Sequence, residues 1–97
     1  MALRDCMKEL EHFQQLSSHP SMDEGAEFIG VSHEELSKEI GTLEAILKIE
    51  LFVRQRDRLI LTSAGEVVLN AAKKIFNDVR ELEESLKSFK FEYVEWT

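Results

Sequence analysis

At 97 residues the chain has room for one domain with a modest core, which excludes a binding domain joined to a separate enzyme domain. No apolar run approaches the roughly 18 residues that a membrane helix needs, and Arg4, Asp5 and Cys6 so near the start are unlike a signal peptide, so no membrane partner and a cytoplasmic location are expected. The net charge of −7 is opposite in sign to that of most nucleic-acid binders, so DNA binding would require a local basic face.

In chain order, Leu3, Cys6, Met7, Leu10, Phe13 and Leu16 are spaced for one face of a helix that ends around Ser17, Ser18 and Pro20. Cys6 is the single cysteine, so there is no intrachain disulfide, and its place on that face predicts a buried thiol. Ser21-Met22-Asp23-Glu24 then reads as a capping box, and Ser32-His33-Glu34-Glu35 repeats the device. Between them a short helix buries Ala26 and Ile29, Gly30 takes the left-handed conformation that ends it, and Val31 turns inward. From the second cap, Leu36, Ile40, Leu43 and Leu47 form one apolar stripe. His33, Glu34, Ser37, Lys38 and Gly41 stay outside as a reading face. Ile40 is expected to be fully buried and its neighbour Glu39 to be of no consequence for stability. Glu34 and Glu35, at i−4 and i−3, are placed to hold Lys38 in local ion pairs. Two short helices across one tight turn make a helix-turn-helix.

Leu51-Phe52-Val53 and Leu59-Ile60-Leu61 are two β-rich runs separated by Arg54, Gln55, Arg56, Asp57 and Arg58, the densest basic cluster in the chain. A hairpin appended to a helix-turn-helix is a wing. Thr62 can cap a long helix, with Ala64 and Gly65 in its first turn, running to about Ser88. In it Val68, Ala72, Ile75, Val79, Leu82, Leu86 and Phe89 step by fours and threes, the seam of a coiled coil. In the first turns, widened by Val67 and Leu69, the seam should pack on the protein's own core. Beyond Val79 the winged helix is out of reach, and pairing with a second copy is expected, since a bare apolar stripe of that length is a liability. Phe91 to Thr97 alternate in a strand-like way. The expected fold is mainly α: a winged helix-turn-helix over 1–62 with a short β-hairpin wing, a long dimerisation helix over 63–90 and a short tail over 91–97.

Gly25-Ala26, Gly30-Val31-Ser32, Ser37, Ile40, Leu43-Glu44, Leu47, Leu51-Phe52, Arg54 and Leu61-Thr62-x-Ala64-Gly65 together resemble, without a gap, the N-terminal domain of LysR-type transcriptional regulators. The resemblance extends through the first and last helices to about Lys90. It implies a winged helix-turn-helix dimerised through antiparallel linker helices, which binds operator DNA at two half-sites and regulates transcription in a bacterium. The chain also departs from the pattern: His33 stands where the family usually has Gln, Glu35 where it has a small residue, Glu39 where Gln or another polar residue is common, and Lys48 where Gly ends the recognition helix. The large effector-binding domain of the family is absent from this sequence, which leaves a piece of a longer regulator or a stand-alone domain.

Two functions remain. In the first, a dimer reads double-stranded DNA with the helix over 33–47 in the major groove through Ser32, His33, Ser37 and Lys38, while Arg54, Arg56 and Arg58 hold the backbone or minor groove. Its seam is Ala72, Ile75, Val79, Leu82, Leu86 and Phe89. In the second, acid on the reading face has removed DNA affinity, and the chain pairs through its last helix with itself or with a related regulator. His12, His19 and His33 have no Cys or carboxylate at zinc-ligand spacing and are expected at the surface or near helix caps. No nucleophile stands with a base and an orienting partner, and no glycine-rich phosphate loop occurs. Neither an enzyme nor a cofactor or metal is expected.

Overall fold

A computed structural model describes residues 2–89. Leu3–Cys6 form a 3-10 turn that runs into α1 (Met7–Leu16), followed by α2 (Met22–Ile29), α3 (His33–Leu47), the strands β1 (Phe52–Gln55) and β2 (Arg58–Leu61), α4 (Ser63–Leu86) and a closing 3-10 turn over Lys87–Phe89. This is the expected winged helix-turn-helix with a long C-terminal helix. The strand-like tail of 91–97 and the end of the linker at Lys90 lie outside the described residues.

The core forms where α1 crosses α2, α3 and the start of α4. Leu10, Phe13 and Leu16 of α1 are buried against Leu36, Ile40 and Leu43 of α3, with Ala26 of α2, Leu51 and Ala72 closing the cluster. Phe13 also meets Phe52 of β1, ring centroids 5.4 Å apart. Met7 turns outward instead of joining this face. Cys6 is buried as expected, and that burial, followed by the Glu9 and Asp5 carboxylates, pushes its thiol pKa up, which keeps it protonated and a poor nucleophile.

The turn between α2 and α3 follows the sequence closely. Gly30 ends α2 at φ 90°, and its N–H and that of Val31 both donate to the Ala26 carbonyl. Ser21 Oγ accepts from Glu24 N–H at 3.2 Å, and Ser32 Oγ from Glu35 N–H at 3.0 Å. Each box is half formed: among the described residues neither glutamate returns a bond, and both carboxylates stay in solvent beside a helix N-terminus, which favours negative charge. Gly25 has a packing reason, because a Cβ there would stand 2.3 Å from Leu16 Cδ1.

Lys48 ends α3 at φ 58°, a left-handed conformation that a Cβ disfavours. Lys48→Gly is therefore expected to raise stability by about 1 kcal/mol, read as a shifted urea midpoint at constant slope.

Beyond α3, one network seats the wing and the last helix. The Glu44 carboxylate accepts from Leu51 N–H at 2.8 Å, Thr62 N–H donates to the Leu51 carbonyl at 3.0 Å, and the Thr62 hydroxyl donates to the Glu50 carbonyl while accepting from Gly65 N–H. A Cβ on Gly65 would meet the Leu51 carbonyl oxygen at 2.3 Å, so only glycine permits this approach. The strands pair antiparallel with Gln55 opposite Arg58, leaving Arg56-Asp57 as a two-residue turn. The expected basic loop over 54–58 is thus mostly strand. Leu59 N–H also donates to the Pro20 carbonyl at 3.0 Å, tying the wing to the segment before α2.

Three further expectations fail on packing. Glu39 is only 7% exposed, not a bystander: it sits at the edge of the Leu36/Ile40/Leu43 stripe, where α1 covers it. His12 lies there too, half-buried rather than at the surface, with Nδ1 2.6 Å from Glu39 Oε1. Oε2 of Glu39 makes no hydrogen bond among the described residues, and its nearest cation, Lys8 Nζ, stands 3.4 Å away. Val67, finally, does not pack on the protein's own core but is 70% exposed. Its neighbours Val68 and Leu69 take the inward positions, and one helix turn cannot aim all three at one core.

Candidate nucleic-acid interface

The capped N-termini of α2 and α3 and the wing converge on one side of the molecule. Between them lies a recess of about 290 Å3 lined by Ser21, Asp23, His33, Arg54, Arg56, Asp57 and Arg58, among others. Four of the seven DNA-binding candidates, His33 and the three wing arginines, therefore share one concavity although about twenty residues of chain separate the helix start from the wing. Ser32 is exposed as the cap of α3, and its hydroxyl is engaged with Glu35 N–H. Lys38 is exposed one turn further along α3, Ser37 is partly buried beside β1 and Arg54, and Gly41 is open, with nothing within 4 Å of a hypothetical Cβ. The outer face of α3 is thus laid out as the helical phase of the sequence requires.

Its electrostatics differ from the expectation at Lys38 and add one pair that was not expected. Among the described residues Lys38 makes no ion pair with Glu34 or Glu35, nor do the wing arginines pair with Asp57, so these cations are available to a phosphate backbone. His33, by contrast, is engaged: its Nδ1 stands 2.5 Å from Asp23 Oδ1 of α2. No sequence signal marks that pair, since ten residues and a tight turn separate its members. Arg56 is also special, holding φ 56° at the tip of the hairpin.

The helix-turn-helix pattern of the bacterial regulatory proteins of the lysR family matches residues 7–66. The chain belongs to that family. Among curated relatives it is similar to the HTH-type transcriptional regulator CfxR of Cupriavidus necator, 29% identical over 84 residues that make up 87% of this chain and 26% of that protein. A probable RuBisCO transcriptional regulator of Thalassiosira pseudonana is 37% identical over 75 residues, 77% of this chain and 24% of that one. The chain spans about a quarter of the length of the curated relatives it matches. Among solved structures, the DNA-binding domain of BenM in complex with catB site 1 DNA has the same fold, with a TM-score of 0.82 at 22% identity, covering 91% of this chain and 98% of that one. The complex of the CbnR DNA-binding domain with DNA gives 0.77 at 23% identity, over 84% and 94% of the two chains. A full-length OxyR variant from Pseudomonas aeruginosa gives 0.76 at 26% identity, over 87% of this chain and 28% of that one.

Much of what carries membership of the lysR family is scaffold in this chain. Gly25, Gly30, Leu43, Glu44, Leu51, Thr62 and Gly65 close the turn, seat the wing and start α4, while of the four departures His33 and Glu35 are exposed at the start of α3, Glu39 is buried under α1 and Lys48 caps the end of α3. The seam candidates fall into two groups. Ala72 is buried in the protein's own core, whereas Ile75, Val79, Leu82 and Leu86 of α4 and Phe89 just after it are exposed, in a molecule whose principal extents are 58 × 26 × 21 Å. Among the described residues no helix is long and apolar enough to cross a membrane.

Proposed function

We propose that this chain is the DNA-binding and dimerisation part of a sequence-specific transcriptional regulator, with 1–62 as the winged helix-turn-helix, 63–90 as the linker and 91–97 as a tail. In this reading α3 enters the major groove through Ser32, His33, Ser37 and Lys38, and Arg54, Arg56 and Arg58 hold phosphate or the minor groove. The observation that carries it is the shared recess, which sets three arginines, none in an ion pair among the described residues, beside the start of α3 and so supplies the basic face that the overall charge lacks. The exposed apolar face of α4 from Ile75 to Phe89 supports pairing with a second copy, which would present two reading heads to two half-sites.

Acid on the same face favours a second reading. Asp23, Glu24, Glu34 and Glu35 are exposed at the two helix starts, where a duplex would bring phosphates, and a chain that repels DNA there would act by pairing with itself or a related regulator. A salt-titrated binding measurement on random and genomic DNA separates the two. For a DNA binder, replacing Arg54, Arg56 and Arg58 by glutamine is expected to weaken binding on every sequence and to lower the salt slope by roughly 1 for each arginine that holds a phosphate. Ser37→Ala or Lys38→Ala should mainly blunt discrimination between sites. The DNA-binding reading fails if the unmodified chain shows no salt-sensitive affinity at low salt while Glu34→Gln combined with Glu35→Ala acquires it.

A further inference from the structure

The bond between His33 and Asp23 bears on what the reading face can recognise. An ionised carboxylate offers only lone pairs, so the proton in the Nδ1 to Oδ1 bond belongs to the imidazole. In the neutral ring this fixes the tautomer: Nδ1 carries the hydrogen and Nε2 keeps a lone pair. A neutral imidazole in water favours the opposite form, with the hydrogen on Nε2. Among the described residues Nε2 has no partner, and His33 is 43% exposed at the first position of α3. Charged groups surround the ring from each neighbouring element: Asp23 on α2, Arg54 on β1, Asp57 with Arg56 in the turn, Arg58 on β2, and Glu34 next to it on α3.

We propose that Asp23 is a positioning residue that makes His33 a hydrogen-bond acceptor toward the major groove. This rests on the DNA-binding reading above and specifies its chemistry. An acceptor at Nε2 selects a base edge that donates, the N4 amine of cytosine or the N6 amine of adenine, and disfavours O6 and N7 of guanine, which only accept. The choice is made by a residue of α2 that need not touch a base itself. Closure of a duplex over the recess removes water from the Asp23–His33 bond and strengthens its hold on the tautomer.

Two measurements test this. Nitrogen-15 NMR of the free chain is expected to show His33 with hydrogen on Nδ1 and none on Nε2, and Asp23→Ala to move it toward the Nε2 form. Selection from a randomised duplex library by the unmodified chain is then expected to require cytosine or adenine at one position. Asp23→Ala should relax that preference by roughly fivefold to tenfold, the worth of one hydrogen bond, while preferences at other positions persist. Either an Nε2-protonated ring in the unmodified chain or an unchanged preference in Asp23→Ala overturns the inference, and neither touches the DNA-binding reading. Absence of any DNA binding by the unmodified chain defeats that reading, and the reader role of His33 with it, whatever tautomer the NMR records.

Discussion

Leu82→Glu is expected to convert a dimer into folded monomers. Leu82 is 59% exposed in the single chain, and Val79, Leu86 and Phe89 on the same helix are exposed too and lie outside the buried core cluster. The substitution therefore removes nothing that holds one copy together, and helical content should be unchanged because glutamate is a good helix former. In a paired seam both copies of Leu82 would be covered, and two carboxylates placed among apolar partners would cost several kcal/mol of association energy. Sedimentation equilibrium at tens of micromolar reads the outcome. A monomeric unmodified chain, or a variant that still dimerises, would show that α4 is not the pairing surface. Val67 and Ile75 extend the same exposed face toward the body, next to an apolar groove lined by Leu3, Leu10, Leu47 and Ala71. The pairing surface therefore need not stop at Val79.

Ile40→Ala is expected to cost about 2–5 kcal/mol, a large part of the stability of a domain this small. Ile40 is buried between Leu36 and Leu43 on the face of α3 that meets α1, and its shortened side chain would leave a cavity that rigid helices cannot close. Glu39→Ala should also destabilise, by about 1–3 kcal/mol, because it strips the half-buried His12 ring of its partner. Lys8 is mostly exposed and should contribute little of this. Glu39→Gln, which keeps an oxygen to meet His12, should lose less. Urea denaturation of the three variants checks the order, and a Glu39→Ala chain as stable as the unmodified one would mean that the α1–α3 polar contact has no energetic weight.

What could be read from the sequence was what local chemistry dictates. Serines before acidic turns mark helix starts, Gly30 marks a left-handed stop, and the spacing of Leu36, Ile40, Leu43 and Leu47 sets the phase of α3, so the winged helix-turn-helix, Gly41 on the open face and the long C-terminal helix followed from periodicity and turn signals. Residue patterns also carried the family. What the tertiary structure alone decided were relations between residues distant in the chain. Glu39 belongs to the polar class yet is buried, because α1 crosses α3 over that edge and brings His12, twenty-seven positions earlier, within hydrogen-bond reach. Val67 belongs to the apolar class yet is exposed, because α4 leaves the body along a line that Val68, Leu69, Ala72 and Phe76 face. The pairing of His33 with Asp23 and the gathering of the wing arginines beside them depend on the angle between α2 and α3 and on the Leu59 to Pro20 bond that anchors the hairpin. Periodicity reports which side of an element is apolar; which neighbour covers that side, and which polar group is trapped at its edge, is set by how the helices cross.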